Sequence, residues 1–332
     1  MKKILLSVLD LAVVSEGDNV AGAIKRTVEI ARHTEALGYK RIWLAEHHNM
    51  EHIASSATAV LIGHVAGLTE GKIRVGSGGI MLPNHSPLVV AEQFGTLASI
   101  YPNRIDLGLG RAPGTDQLTA AALRRNNNSY HYDFQAEIQQ LQTYFSAENK
   151  HAKVRAFPGE GIVIPIWILG SSTDSAYLAA QMGLPYAFAA HFAPAQLKTA
   201  IDIYRKNFKP SKGLEKPYVL ACVNVIAADT DEEAEILATS LYRIFLGIIT
   251  NMRAPLQAPS PLPPIINHPE VQQAIQRMLA CTFIGNKQTL KENLLAFIEE
   301  TDIDELMVSS HIYDREAKLK SYSILYEALN EK

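Results

Sequence analysis

Eight short runs rich in β-branched and aliphatic residues, each followed by a longer stretch of helical period, set the rhythm of this chain. The runs lie near 4–9, 41–44, 73–76, 104–109, 164–169, 186–189, 218–227 and 305–308. The helical stretches cover 23–37, 56–68, 87–101, 134–145, 175–182, 194–208, 231–245, 290–300 and 318–329. A parallel strand pair needs a long crossover, usually a helix, so this alternation predicts parallel βαβ units. Eight such units within 332 residues favour an α/β fold of the closed (β/α)8 TIM-barrel type over an open, doubly wound sheet. Two insertions break the rhythm. Residues 112–161, after the fourth strand, hold an extra helical stretch and a polar run at 124–129, and residues 250–269, after the seventh, hold six of the 16 prolines. The strand–helix pattern resumes after each, so residues 1–332 are expected to form one domain, with 250–269 as a mobile lid within it.

Composition narrows the function classes. With 47% hydrophobic and 20% charged residues the chain is globular rather than disordered. Lys and Arg total 31 against 34 Asp and Glu, so no basic excess exists to neutralise a nucleic-acid backbone. The two cysteines, Cys222 and Cys281, allow neither a disulfide framework nor a cysteine-built zinc site, which fits the reducing cytoplasm. Met1-Lys2-Lys3 and the apolar run after it mimic a secretion signal, but Asp10 interrupts that run and the acidic stretch 16–18 follows, so a first strand is expected. Nowhere do about eighteen apolar residues run together, and no membrane span is expected.

In a TIM barrel, chemistry gathers where strands end and loops begin. Here those junctions are polar: Asp10; Glu46-His47-His48-Asn49; Gly76-Ser77-Gly78-Gly79 and then Asn84-His85; Gly108-Leu109-Gly110-Arg111; Gly170-Ser171-Ser172; His191; and Ser309-Ser310-His311. Solvent exposure of strand ends explains any one of these more easily than all of them. The stretch from Gly170 to Ser175 reads either as a plain helix cap or as a phosphate cradle of free N–H groups at a helix start. Arg111 reads as a surface ion pair or as a phosphate clamp. Neither glycine cluster has the dinucleotide-binding spacing, and Pro113 stands where a Rossmann helix would begin; paired glycines at a strand end instead suit a flat ring lying on backbone. His48, Glu51 and His52 form a formal zinc pattern, but the segment follows a strand directly and no third ligand is marked, so no metal is expected. A base or acid at the barrel mouth, His47, is the preferred reading, beside a structural histidine pair that merely holds the loop.

Three strings, 43–49 (WLAEHHN), 75–83 (VGSGGIMLP) and 104–114 (RIDLGLGRAPG), resemble the bacterial luciferase-like flavin monooxygenases, and 169–172 (LGSS), 179–185 (AAQMGLP) and 283–285 (FIG) continue the match in order. The likeness is to the single-chain branch. It implies a barrel that binds FMN at its C-terminal mouth, with Arg111, Ser175 and the backbone of Ser171 and Ser172 on the phosphate, and a non-proline cis peptide at Gly78–Gly79 beneath the flavin ring. His47 matches the family's catalytic histidine, and Gly110 stands where light-emitting members carry a cysteine beside the flavin. His48, Asn49, His85 and His191 are expected to face the substrate. The implied activity is oxygenation of a small organic molecule by O2, using reduced FMN from a separate reductase. An F420-dependent oxidoreductase of the same superfamily and a non-catalytic flavin-binding protein are the alternatives. The family also implies a homodimer through the helices after strands two and three, whose apolar residues are Val60, Leu61, His64, Val65 and Leu68 with Val89, Val90, Phe94 and Leu97.

Overall fold

The structure, a computed structural model, describes residues 4–112, 114–123 and 133–330; Pro113 and the expected polar run at 124–129 lie outside them. Among the described residues nine parallel strands are present: β1 (Leu5–Asp10), β2 (Arg41–Leu44), β3 (Arg74–Met81), β4 (Ile105–Gly110), β5 (Ile166–Gly170), β6 (Tyr186–Phe188), β7 (Val219–Ala227), β8 (Thr282–Gly285) and β9 (Glu305–Ser309). Strands β1 to β7 pair in sequence order, and β9 joins β7 to β1, which closes an eight-stranded barrel. The eight expected strands are these eight. Strand β8 was not among them: it pairs only with the second half of β7, Asn224–Ala227, beyond the stretch that β7 shares with β9. The barrel is the (β/α)8 fold, with its insertions after the fourth and seventh strands.

The helices are α1 (Val20–Leu37), α2 (Thr58–Gly67), α3 (Pro87–Ile100), α4 (Gln117–Leu123), α5 (Phe134–Phe145), α6 (Thr173–Met182), α7 (Leu197–Asn207), α8 (Asp231–Ile249), α9 (Pro269–Met278), α10 (Lys287–Thr301) and α11 (Arg315–Asn330). Their ends follow local chemistry. The Asn19 side chain caps α1 by accepting from Gly22 N, and Gly38, at φ 95°, ends it in the left-handed region. Thr230 caps α8, whose first turn carries Asp231, Glu232 and Glu233 against the positive end of the helix dipole. Helix α4 lies in the first insertion and α9 follows directly on the second; neither is among the expected helical stretches.

Strand β7 is buried at all nine positions, as a strand covered on both faces requires. The period of two sorts side chains between an outer layer packed under the helices and the barrel interior. Leu9, Trp43, Trp167, Ala187, Leu220, Cys222 and Met307 fill the interior, with the Trp43 and Trp167 rings edge to face at 5.1 Å. Below them, at the N-terminal ends of the strands, Arg41 donates to Glu305 Oε1 and to Asp106 Oδ2, each at 2.7 Å, while Tyr218 donates to Glu305 Oε2 at 2.8 Å. This polar plug and the indole layer close the lower barrel, and the upper end is left for a site. On α2 and α3, Leu61, Val65, Val90, Phe94 and Leu97 are buried against the barrel, whereas Val60, Leu68, Val89 and Ile100 are exposed.

Among the described residues no helix is long and apolar enough to cross a membrane.

Candidate active site

Strand β2 ends at Leu44, and the chain leaves it through Ala45 and Glu46 into the His47–Asn49 turn, where Asn49 takes a left-handed φ of 55°. Glu46 is the hub of this corner. Its Oε1 accepts from His48 Nε2 and His85 Nε2, both at 2.8 Å, and from Asn84 Nδ2 at 3.4 Å, while Oε2 accepts from Met81 N at 3.1 Å. Burial would raise its carboxyl pKa, but the donors, His85 first, outweigh burial and leave it below the usual range. Glu46, His48 and His85 also bring a carboxylate oxygen and two ring nitrogens within 4.8 Å of one another, among the described residues a grouping of the kind that could hold a metal. Four donors already satisfy the carboxylate without one. The formal zinc pattern does not assemble: His48 is turned onto Glu46, while Glu51 is exposed.

His47 stands apart from that network. Its Nδ1 donates to the carbonyl of Gly114 at 3.3 Å, and Nε2 has no hydrogen bond among the described residues. Burial lowers its pKa, and the neighbouring charge of Arg253 lowers it further. His47 is therefore neutral near pH 7, with a lone pair on Nε2.

His191 follows β6. Its N–H donates to Cys222 O at 2.6 Å, and its own carbonyl accepts from Asn224 Nδ2 at 2.6 Å. Burial drives the imidazole down to about 4. Next to it, His311, after β9, is lowered to about 3 by burial and by Lys318 and His191. His191 Nδ1, Asn224 Oδ1, Trp167 Nε1 and Ser310 Oγ are buried without a hydrogen-bond partner. Unmet donors and acceptors in a barrel interior cost stability unless a ligand or water meets them. They fit a polar, flat cofactor lying in the mouth.

The Gly78–Gly79 peptide is cis. A Cβ at Gly78 would lie 2.7 Å from Leu9 Cδ1 and 2.9 Å from Trp43 Cβ, so the backbone itself forms this wall. Across the mouth, Gly170 gives way to α6. Ser172 caps the helix, accepting from Ser175 N at 3.4 Å; the Ser175 hydroxyl folds back to donate to Ser172 O at 2.7 Å and meets Tyr186 Oη at 3.0 Å. A Cβ on Gly170 would fall 2.1 Å from Ser175 Oγ, which is why this junction needs glycine. Arg111 is exposed and its Nη2 lies 3.8 Å from Asp174 Oδ2 in the first turn of α6. The guanidinium and this helix start thus meet on one side of the rim, although they are more than sixty residues apart. Gly110 is buried, with its Cβ direction blocked by Met81 Sδ at 2.7 Å. Asn49 sits exposed on the rim, donating to Asp116 Oδ2 at 3.4 Å.

Sequence reasoning missed four residues of this mouth. Glu46 stands in the string 46–49 with nothing to mark it as a hub, although a carboxylate at the end of a buried strand needs partners. His311 lay in a noted junction. Asn224 was hidden within the long apolar run of β7. Arg253 lies in the proline-rich insertion, where no pattern marks it.

Known proteins share both sequence and shape. Residues 5–301 match the family of luciferase-like monooxygenases. A luciferase-like monooxygenase of Escherichia coli (strain K12) is 47% identical, covering 99% of this chain and 98% of its own. An N-acetyl-S-alkylcysteine monooxygenase of Bacillus subtilis (strain 168) is 34% identical over 98% of each chain. Among solved structures, apo-MsnO8 is similar at a TM-score of 0.89 with 32% identity over 99% of both chains. The oxygenating constituent of 3,6-diketocamphane monooxygenase from Pseudomonas putida, solved in complex with FMN, shares the fold at a TM-score of 0.76 and 17% identity, over 99% of this chain and 98% of that one. A family match across nine-tenths of the chain, on a closed parallel barrel with a polar C-terminal mouth, leads to one conclusion: the chain belongs to the luciferase-like monooxygenase family and is an oxidoreductase.

Proposed function

We propose that this protein is an FMN-dependent monooxygenase that takes reduced FMN from a separate reductase and uses O2 to oxygenate a small organic substrate. The observation that carries the reading is the meeting of Arg111 with the start of α6 on one side of a mouth that also holds a neutral His47 with a free Nε2. Bound FMN would supply the redox chemistry, carrying two electrons to O2. The chain supplies the rest. Arg111 and the N–H groups of Ser171 and Ser172 hold the phosphate, helped by the helix dipole. The Ser175 hydroxyl, now bonded within α6, turns to join them. The backbone of Gly78 and Gly79 supports one face of the ring, with Gly110 beside it; Asn224 meets the ring's polar edge through its unpartnered Oδ1, and His191, with its unpartnered Nδ1, faces the substrate. His47 accepts or returns a proton at Nε2 during oxygen transfer. His48, His85 and Asn49 shape the substrate side of the mouth, the first two held by Glu46.

Residues 250–269 act as the lid, excluding water from the reaction. Leu256 anchors it, its N–H donating to Val14 O at 3.0 Å and its carbonyl accepting from Glu16 N at 2.8 Å, and α8 holds the next residues, Ser240 donating to Gln257 O at 2.7 Å and Arg243 to Pro261 O at 2.5 Å, so movement belongs to the stretch after Pro261. The exposed Val60, Leu68, Val89 and Ile100 cover one another in a homodimer. A cytoplasmic setting agrees with two cysteines that are both free and buried.

The test is O2 consumption by the purified protein with FMN, NADH and a generic flavin reductase, screened over small organic compounds. Sulfur compounds come first, because the relative named for N-acetyl-S-alkylcysteine is 34% identical. The reading expects at least one compound to give an oxygenated product with matching O2 uptake. Turnover with reduced F420 in the absence of O2 would replace it, and FMN binding with no substrate-dependent O2 uptake would reduce the protein to a flavin carrier.

A further inference from the structure

Helix α8 ends in a turn that throws the chain back over its own last residues. Met252 N donates to Gly247 O at 2.8 Å, Asn251 takes a left-handed φ of 56°, and a Cβ on Gly247 would lie 2.8 Å from Met252 O. Four residues on from Met252, Leu256 is buried and its backbone is tied to Val14 and Glu16. Arg253 is thus held on a short strap fixed at both ends. Its Nη1 reaches Met50 Sδ at 3.6 Å, on the turn that carries His47.

Other arginines around the barrel are satisfied either by carboxylates, Arg26 with Asp18 at 2.7 Å and Arg315 with Glu29 at 2.6 Å, or by backbone carbonyls, as Arg32 is by Leu68 O and Arg104 by Ala66 O. Among the described residues Arg253 pairs with no carboxylate, and the weak sulfur contact is its hydrogen bond. Its charge nevertheless falls on His47 and on His52, both of which it disfavours in their protonated forms. Glu51 acts on His52 in the opposite sense, and Asp116 is engaged by Thr119 and Asn49. An exposed cation on a strap held at both ends, with the Met50 sulfur against it on the turn that carries a neutral base, suits an anionic head on an apolar body.

We propose that Arg253 is the specificity residue of this mouth and that the organic substrate carries a carboxylate, which pairs with the Arg253 guanidinium while its apolar part extends toward His47. The assignment to substrate rests on the monooxygenase reading; the anion site does not. Pairing would also cancel the positive charge felt by His47 and His52, so bound carboxylate leaves a signature on two histidines it need not touch.

The experiment uses the whole flavin-free protein and two probes of equal shape, hexanoate and hexanamide, with the histidine rings followed by NMR across a pH titration. Hexanoate is expected to raise the pKa of His47 and His52, and hexanamide to leave both in place. Arg253→Gln, an exposed change that spares the fold, should raise both values without any probe and weaken hexanoate by about tenfold, the loss of one charge-assisted hydrogen bond. Equal binding of the two probes, or hexanoate affinity unchanged in Arg253→Gln, would overturn the anion site. The same variant should keep the wild-type ratio of FMN to riboflavin affinity; a fall in that ratio would give Arg253 to the cofactor phosphate and overturn the proposal. Hexanoate bound through Arg253 in a protein with no flavin-dependent O2 uptake would remove the substrate role while the anion site stood, so the two failures are separable.

Discussion

A histidine serves as a base only when one ring nitrogen keeps its lone pair, and in this mouth three neighbours differ in that respect. His48 and His85 spend Nε2–H on Glu46, whereas His47 ties Nδ1–H to the Gly114 carbonyl and keeps Nε2 open. Replacing His47 by Ala should lower the yield of oxygenated product by about 10²-fold or more, the usual contribution of a positioned proton carrier. FMN affinity should stay within about twofold, since the cofactor's affinity comes mainly from its phosphate grip. Fluorescence titration and product analysis read the two quantities, and a parallel loss of both would make His47 a cofactor-holding residue. At this scale the sequence was legible where residues lie together in a short string, as in 46–49. It was silent where distant segments meet. Nothing near Glu46 announces that His85 shares its carboxylate, and nothing in a proline-rich insertion announces that Arg253 will reach Met50 on the turn after β2.

Elements were easier to read than sites, because hydrophobic period is a local property. Seven of the barrel strands and the helix at 134–145 have ends within two residues of those expected, for a covered parallel strand is a dense apolar run, whereas β3, expected at 73–76, runs on through its glycines to Met81. What escaped reading was short or amphipathic: β8 has only four residues, three of them half-buried, and α9 buries just Ile275. The glycines of β3 and β4 show a constraint between elements. A Cβ at Gly108 would lie 2.2 Å from the backbone oxygen of Ser77, and Ser77 Oγ in turn accepts from Gly108 N at 2.9 Å. The two strands are therefore packed backbone to backbone beneath the Gly78–Gly79 wall. Gly108→Ala should destabilise the protein by about 1–3 kcal/mol, as overpacking does in a dense core. A urea-unfolding midpoint equal to wild type would mean that β3 and β4 have slack to separate.

For the whole molecule, the histidines that line the mouth make acid stability a property of the site. Burial lowers His191 to about 4 and His311 to about 3, against an ordinary value near 6.5 in the unfolded chain. Below about pH 6.5 the unfolded state binds protons that the folded state refuses, so stability is full above that pH and falls as the pH drops toward 4 and then 3. At pH 5 the two together should cost about 4 kcal/mol relative to pH 7.5. Urea unfolding at the two pH values measures this, and His311→Gln should remove part of the difference. A stability flat from pH 7.5 to 5 would mean that both rings protonate freely in the fold.

Central to the proposed function is one mouth that grips a phosphate on its Arg111 and α6 side while a flat ring lies toward His47. Titrating FMN and riboflavin into wild type and Arg111→Ala tests this most directly. The expected result is that the variant loses about tenfold in FMN affinity, the worth of one charged hydrogen-bond pair, and nothing for riboflavin. Equal losses for both flavins, or none for either, would contradict it.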